Sequence, residues 1–94
     1  METKWTPGPW YCVEQNKTIV RSSSAKEEVA RASHCYMNRG EREANAHLIS
    51  AAPELYEALE VAEEALSDIA DDEGWLAPIR SQINAALSKA RGES

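Results

Sequence analysis

Six carboxylates recur at three- and four-residue steps through the second half of this chain: Glu54, Glu57, Glu60, Glu64, Asp68 and Asp71, with Glu63 beside them. On a helix that spacing stacks side chains along one face. A row of closely spaced negative charge is the chemistry by which a protein imitates a phosphate backbone and occupies a basic groove on another protein. The alternative is a solvated helix face, which most charge runs are. Lys and Arg are absent from residues 43–79, so no cation four residues away within the helix offsets the like charges. Each such pair costs roughly 0.2–0.5 kcal/mol. The six residues are the expected partner-binding set, and a protein with a basic surface is the expected partner.

A second set lies near the start. Trp10 and Tyr11 offer aromatic faces on which a base stacks, and Arg21 and Lys26 offer charge for a phosphate, making these four a candidate nucleotide site. The competing reading gives Trp10 to the core, since thin cores need aromatic area. Ser22-Ser23-Ser24 beside Lys26 reads either as an anion acceptor or as a polar turn.

Soft ligands are few: Cys12, His34, Cys35 and His47. Zinc sites supply paired ligands two to four residues apart, because one short loop must present both to the ion. Cys12 and His47 are isolated in sequence, and adjacent His34 and Cys35 face opposite ways in an extended chain. No metal site is expected. A Cys35–His47 nucleophile–base pair lacks a third orienting group, so no catalytic residue is expected and the chain is read as a non-enzyme. Glycines in phosphate-loop or dinucleotide-loop spacing are missing, and no cofactor is expected.

The charge balance narrows the partners. Residues 1–50 carry seven Lys/Arg and six Asp/Glu, whereas residues 51–94 carry three and ten. An acidic half is repelled by duplex nucleic acid and by anionic membrane. No stretch approaches the roughly 18 apolar residues of a membrane span, and Met1-Glu2-Thr3-Lys4 leads into no apolar signal segment. Two cysteines make no disulfide framework, and a reducing cytoplasm is the expected compartment, although a single Cys12–Cys35 cystine stays open.

The elements that must position these residues follow from pattern. Ninety-four residues suit one domain, 1–94, with a β-rich part over 1–38 and a helical part over 41–92. Thr6-Pro7-Gly8-Pro9-Trp10 is a rigid entry turn, because each proline fixes its own φ and extends the residue before it. Trp10–Gln15 and residues 18–21 read as strands around a tight turn at Asn16-Lys17. Residues 25–37 are divided between two readings. Ser24 with Glu27 is a capping box that favours a helix, whereas Glu28–Ser33 alternates like a third strand, and the strand is preferred. Residues 41–52 are rich in helix formers, and Pro53 either opens a new helix or kinks a continuous one. Leu55, Tyr56, Leu59, Ala62, Leu66 and Ile69 form one apolar stripe, and Trp75, Leu76, Ile79, Ile83, Leu87 and Ala90 another. Gly74 is placed as a left-handed cap between them. The fold class is therefore α+β: an N-terminal antiparallel β-hairpin or three-stranded meander, followed by a C-terminal antiparallel helical hairpin. A small sheet and two amphipathic helices leave apolar surface uncovered, so a homo-oligomer is expected.

Two segments carry a resemblance. Thr6-Pro7-Gly8-Pro9-Trp10 and the run Glu43 to Glu60 (EANAHLISAAPELYEALE) resemble a group of small tailed-phage and prophage proteins with a TPGPW-type opening and an EANARLIAAAPELLEALE-type helix. The resemblance covers about a quarter of the positions, in order and spacing. His47 stands where Arg is common in the group and Tyr56 where Leu is common. It implies phage origin rather than a particular chemistry, and places the chain in the cytoplasm of an infected or lysogenic bacterium. Small acidic phage proteins often act by stoichiometric binding, so the basic partner is expected to be a host protein, plausible targets being defence complexes. Two further readings stand beside this one: an oligomeric sponge for a cyclic or other small nucleotide signal, and a structural or assembly accessory protein.

Overall fold

The computed structural model describes residues 5–32, 38–70 and 74–93. In it a three-stranded antiparallel sheet precedes three helices, an α+β fold. The strands are β1 (Trp10–Cys12), β2 (Ile19–Ser22) and β3 (Glu28–Arg31), in the order β1-β2-β3. The helices are α1 (Arg39–Ser50), α2 (Ala52–Ser67) and α3 (Leu76–Arg91). The chain packs as two compact units, Met1–Glu54 and Leu55–Ser94.

In the first unit, Trp10 pairs with Ser22, Tyr11 with Arg21 and Cys12 with Val20. The turn between these strands is built by Asn16: its Oδ1 accepts from the Thr18 amide at 3.2 Å and from Thr18 Oγ1 at 2.6 Å. A local carboxamide that satisfies the turn's own donors is why Asn marks such positions. β3 adds to β2 through Ile19–Arg31 and Val20–Ala30, with a bulge between Val20 and Arg21. Glu28–Arg31 is thus strand, the preferred of the two readings. The capping-box alternative fails because Lys26 turns to φ 57 and its amide donates back to the Ser22 carbonyl at 2.8 Å. Residues 33–37, the end of that divided segment, lie outside the described residues.

The serines belong to the entry turn. Ser22, fully buried, donates its hydroxyl to the Pro7 carbonyl at 2.6 Å and accepts from the Ala25 amide at 3.1 Å. Ser24 Oγ donates to the Gly8 carbonyl at 2.7 Å, and the Ser23 amide to the Pro9 carbonyl at 2.9 Å. Pro7 and Pro9 have no N–H to offer, so the serine segment supplies donors to the carbonyls of the turn. Two of the three hydroxyls therefore have structural partners, which favours the polar-turn reading over the anion acceptor. Gly8 lies against Pro53: a Cβ on Gly8 would fall 3.0 Å from Pro53 Cβ.

α1 starts at Asn38, whose Oδ1 accepts from the Glu41 amide at 2.7 Å. It packs on the sheet through Ala46, which with Val20 is fully buried and with Ala32 forms the core; Trp10, Cys12 and Ile49 close around them. A residue without side chain beyond Cβ lets the helix approach the sheet closely. Between Ser50 and Ala52 the helix breaks, and Pro53 stands in the first turn of α2, so it opens a new helix rather than kinking one.

In the second unit α2 and α3 pair antiparallel, as their cross-helix partners show: Glu63 meets Arg80, while Glu60 and Tyr56 meet Arg91. Leu76 and Leu87 are buried, and Leu59, Ala62, Leu66 and Ile83 are half-buried along the facing stripes. Gly74 takes φ +78, the left-handed conformation expected of it, but α2 ends at Ser67, so Gly74 is not the residue that caps that helix; Gly92 caps α3 at φ +78.

Candidate functional site

The carboxylates of α2 fall into two classes. Glu54, Glu57, Glu60, Glu64 and Asp68 are all exposed, with Glu54 in the first turn and Asp68 just past the last. Asp71 lies outside the described residues. Glu63 turns inward to the α2–α3 seam, where its Oε1 accepts from Arg80 Nη2 at 2.6 Å and from Nε at 3.2 Å. This fork-like contact holds the Glu63 carboxyl below the ordinary glutamate range, with an Asn84 hydrogen bond acting the same way and partial desolvation opposing both. Nearer the other end of the hairpin, Arg91 Nε donates to Tyr56 Oη at 2.6 Å and its guanidinium lies 3.7 Å from Glu60. The Tyr56 hydroxyl first, and Glu60 and Glu93 after it, raise the Arg91 pKa further above its ordinary range.

The carboxylate row is therefore not without cations. They come from α3, across the turn, rather than from within α2. Like-charge repulsion is offset at Glu60 and Glu63, while no ion pair within 4 Å involves Glu54, Glu57, Glu64 or Asp68 among the described residues. Residues Glu57, Glu60, Glu63 and Glu64 of α2 line an open groove of about 510 Å³ with Asn84, Leu87 and Arg91 of α3. Val61 and Leu87 add apolar lining, so the groove suits a long basic side chain with a hydrocarbon stem and a charged head. Sequence reasoning missed Arg80, Asn84 and Arg91. Reflecting the acidic positions through the connection between α2 and α3 would have brought these three opposite them.

The second candidate set divides by strand alternation. Tyr11 is 44% exposed on the outer face of the sheet, directly across from Arg21. Arg21 Nη2 donates to the Lys26 backbone carbonyl at 3.1 Å, which sets the Lys26 main chain beside the Arg21 guanidinium. Glu28, opposite Arg21 in β3, shares that face and pairs with Arg31 at 2.8 Å. Trp10 points the other way, packs on the core and donates its indole N–H to the Thr6 carbonyl at 3.1 Å.

Cys12 and His47 are far apart in sequence, yet β1 and the last turn of α1 bring Cys12 Sγ to 3.5 Å from His47 Nδ1. Cys12 is a half-buried free thiol. His34 and Cys35 lie outside the described residues. Among the described residues no cluster of three or more His, Cys, Asp or Glu is placed to hold a metal ion. No helix among them is long and apolar enough to cross a membrane.

No curated protein and no solved structure matches the chain. One family model does, that of Salmonella phage P22 protein Y8K6, and it spans residues 1–94. The chain therefore belongs to a phage protein group, the Salmonella phage P22 protein Y8K6 family.

Proposed function

We propose that the chain is a non-enzymatic phage-encoded binding protein, acting in the bacterial cytoplasm as a stoichiometric inhibitor of a host defence factor that presents a basic surface. The observation that carries this reading is the exposed flank of α2, where Glu57 and Glu64 stand over a groove whose other carboxylates already hold Arg80 and Arg91. The carboxylates paired with Arg80 and Arg91 fix the geometry of the flank, and Glu57 and Glu64 remain for a partner's cations. Affinity captured from host lysate should persist after nuclease treatment and fall at least about tenfold in a Glu57→Lys/Glu64→Lys variant of unchanged helicity. Undiminished capture by that variant removes the reading. Self-association through the helical hairpin belongs to the same proposal.

A second reading is favoured by the cross-strand Tyr11–Arg21 pair: a sponge that holds a small nucleotide signal on the outer sheet face. Aromatic stacking on Tyr11 and charge from Arg21 and Lys26 suit a base and its phosphate. Thermal shift against linear and cyclic nucleotides tests it. A ligand at 100 times its Kd adds about 2.7 kcal/mol of stability, and this gain should vanish in Tyr11→Ala. A flat panel rules this reading out.

A further inference from the structure

A helical hairpin has two long flanks, and here they differ. One carries the carboxylates with Arg80, Asn84 and Arg91. Helical spacing places Leu55, Ile79, Ala86 and Ala90 on the other, with Ile69 just past the end of α2 and Trp75 at the N-cap of α3. Leu55 is 50% exposed, Ile69 54%, Trp75 62% and Ile79 42%, and both alanines are exposed. The inside of the hairpin is correspondingly thin. α2 has no fully buried residue and α3 has only Leu76 and Leu87. Two helices present an apolar layer that two more complete, as in a four-helix bundle.

We propose that this apolar flank is where a second copy of the chain packs, hairpin on hairpin about a two-fold axis. Size admits that occupant, and charge selects the face on which it packs. Helices of 16 residues are roughly 24 Å long and two side by side are roughly 20 Å wide. Mating two such flanks buries on the order of 1,000 Å², the lower bound of a specific interface. Residues 55–94 carry nine Asp/Glu against three Lys/Arg, so two copies repel wherever their carboxylates face each other. The apolar flank is the side on which they meet without that penalty. A two-fold contact is self-complementary, so the same four large side chains serve both copies. The dimer then displays two carboxylate flanks facing outward, and a partner with two basic sites is held bivalently.

This names the face of the self-association proposed above, and sedimentation equilibrium tests the face and the association separately. The wild-type chain should dimerise with rising concentration. Ile69→Glu and Ile79→Glu should be monomeric with unchanged helical circular dichroism, and the Glu57→Lys/Glu64→Lys variant should remain dimeric. Trp75→Ala guards against misfolding, since its side chain is mostly exposed; it should weaken the dimer by roughly tenfold or more. A dimer that survives the three flank variants overturns the face but not the association. A wild-type chain that stays monomeric overturns both, while the carboxylate-flank reading still stands on its own capture experiment.

Discussion

Arg80 grips Glu63 across the helical hairpin at 2.6 Å, joining two residues 17 positions apart. The Glu63 carboxyl titrates below its usual 4.5 because ionisation is favoured by that hydrogen-bonded cation. A depressed acid contributes stability that is present above the unfolded pKa and lost as pH falls through the folded one. The hairpin should therefore weaken on acidification below about pH 4.5. Carbon-detected titration of the Glu63 carboxyl should give a midpoint below 4.5 in the native protein, moving up towards it in Arg80→Ala.

Charge reversal along α2 should separate the paired from the unpaired carboxylates. Glu63→Lys sets a cation against Arg80 and should lower the thermal midpoint and the helical signal. Glu64→Lys instead relieves repulsion, placing a cation four residues after Glu60 and four before Asp68. It should be neutral or stabilise by roughly 0.2–0.5 kcal/mol per pair. Thermal melts of the two variants at low and high salt check the contrast, since salt screens the gain at position 64.

Ser22→Ala should destabilise the first unit by about 1–3 kcal/mol, because the Pro7 carbonyl loses its donor and the Ala25 amide its acceptor in a buried place. Ser23→Ala, at an exposed side chain, should change stability by less than about 0.5 kcal/mol. Urea unfolding curves of the two variants provide the measurement.

Ala46→Leu should cost about 1–3 kcal/mol, since the position is fully occluded between α1 and the sheet and has no room for a larger group. Ala44→Leu, two residues away on the exposed side of the same helix, is the control and should be within about 0.5 kcal/mol of the native chain. Denaturant midpoints of both proteins decide it.

Local signals made most of the fold legible. Asn16, with its own turn donors, and the left-handed Gly74 act within a few residues, and so their backbone conformations could be read from type and order, whereas Pro53 left two readings open until the helix start was placed. The candidate site was less legible, because its geometry depends on contacts over longer separations. The row Glu54–Asp68 was visible as a helical face, but Arg80 and Arg91 reach it only through the turn. Cys12 and His47 show the same limit: β1 and α1 approach one another through Ala46 and Val20, and neither cysteine nor histidine spacing announces it. Alternation along β1 separated Tyr11 from Trp10, a distinction available from the sequence once the strand was placed.

The fit of Pro53 over Gly8 has a consequence for descent. The TPGPW opening and the helix that Pro53 begins touch at this point. A recombinant gene that takes its opening from one family member and its helices from another keeps the first unit sound only if a residue without a side chain meets a ring of this size. Any crossover between residues 11 and 52 separates the two halves of that fit. The pair thus behaves as a single inherited character, and relatives that change one member should be found to have changed the other.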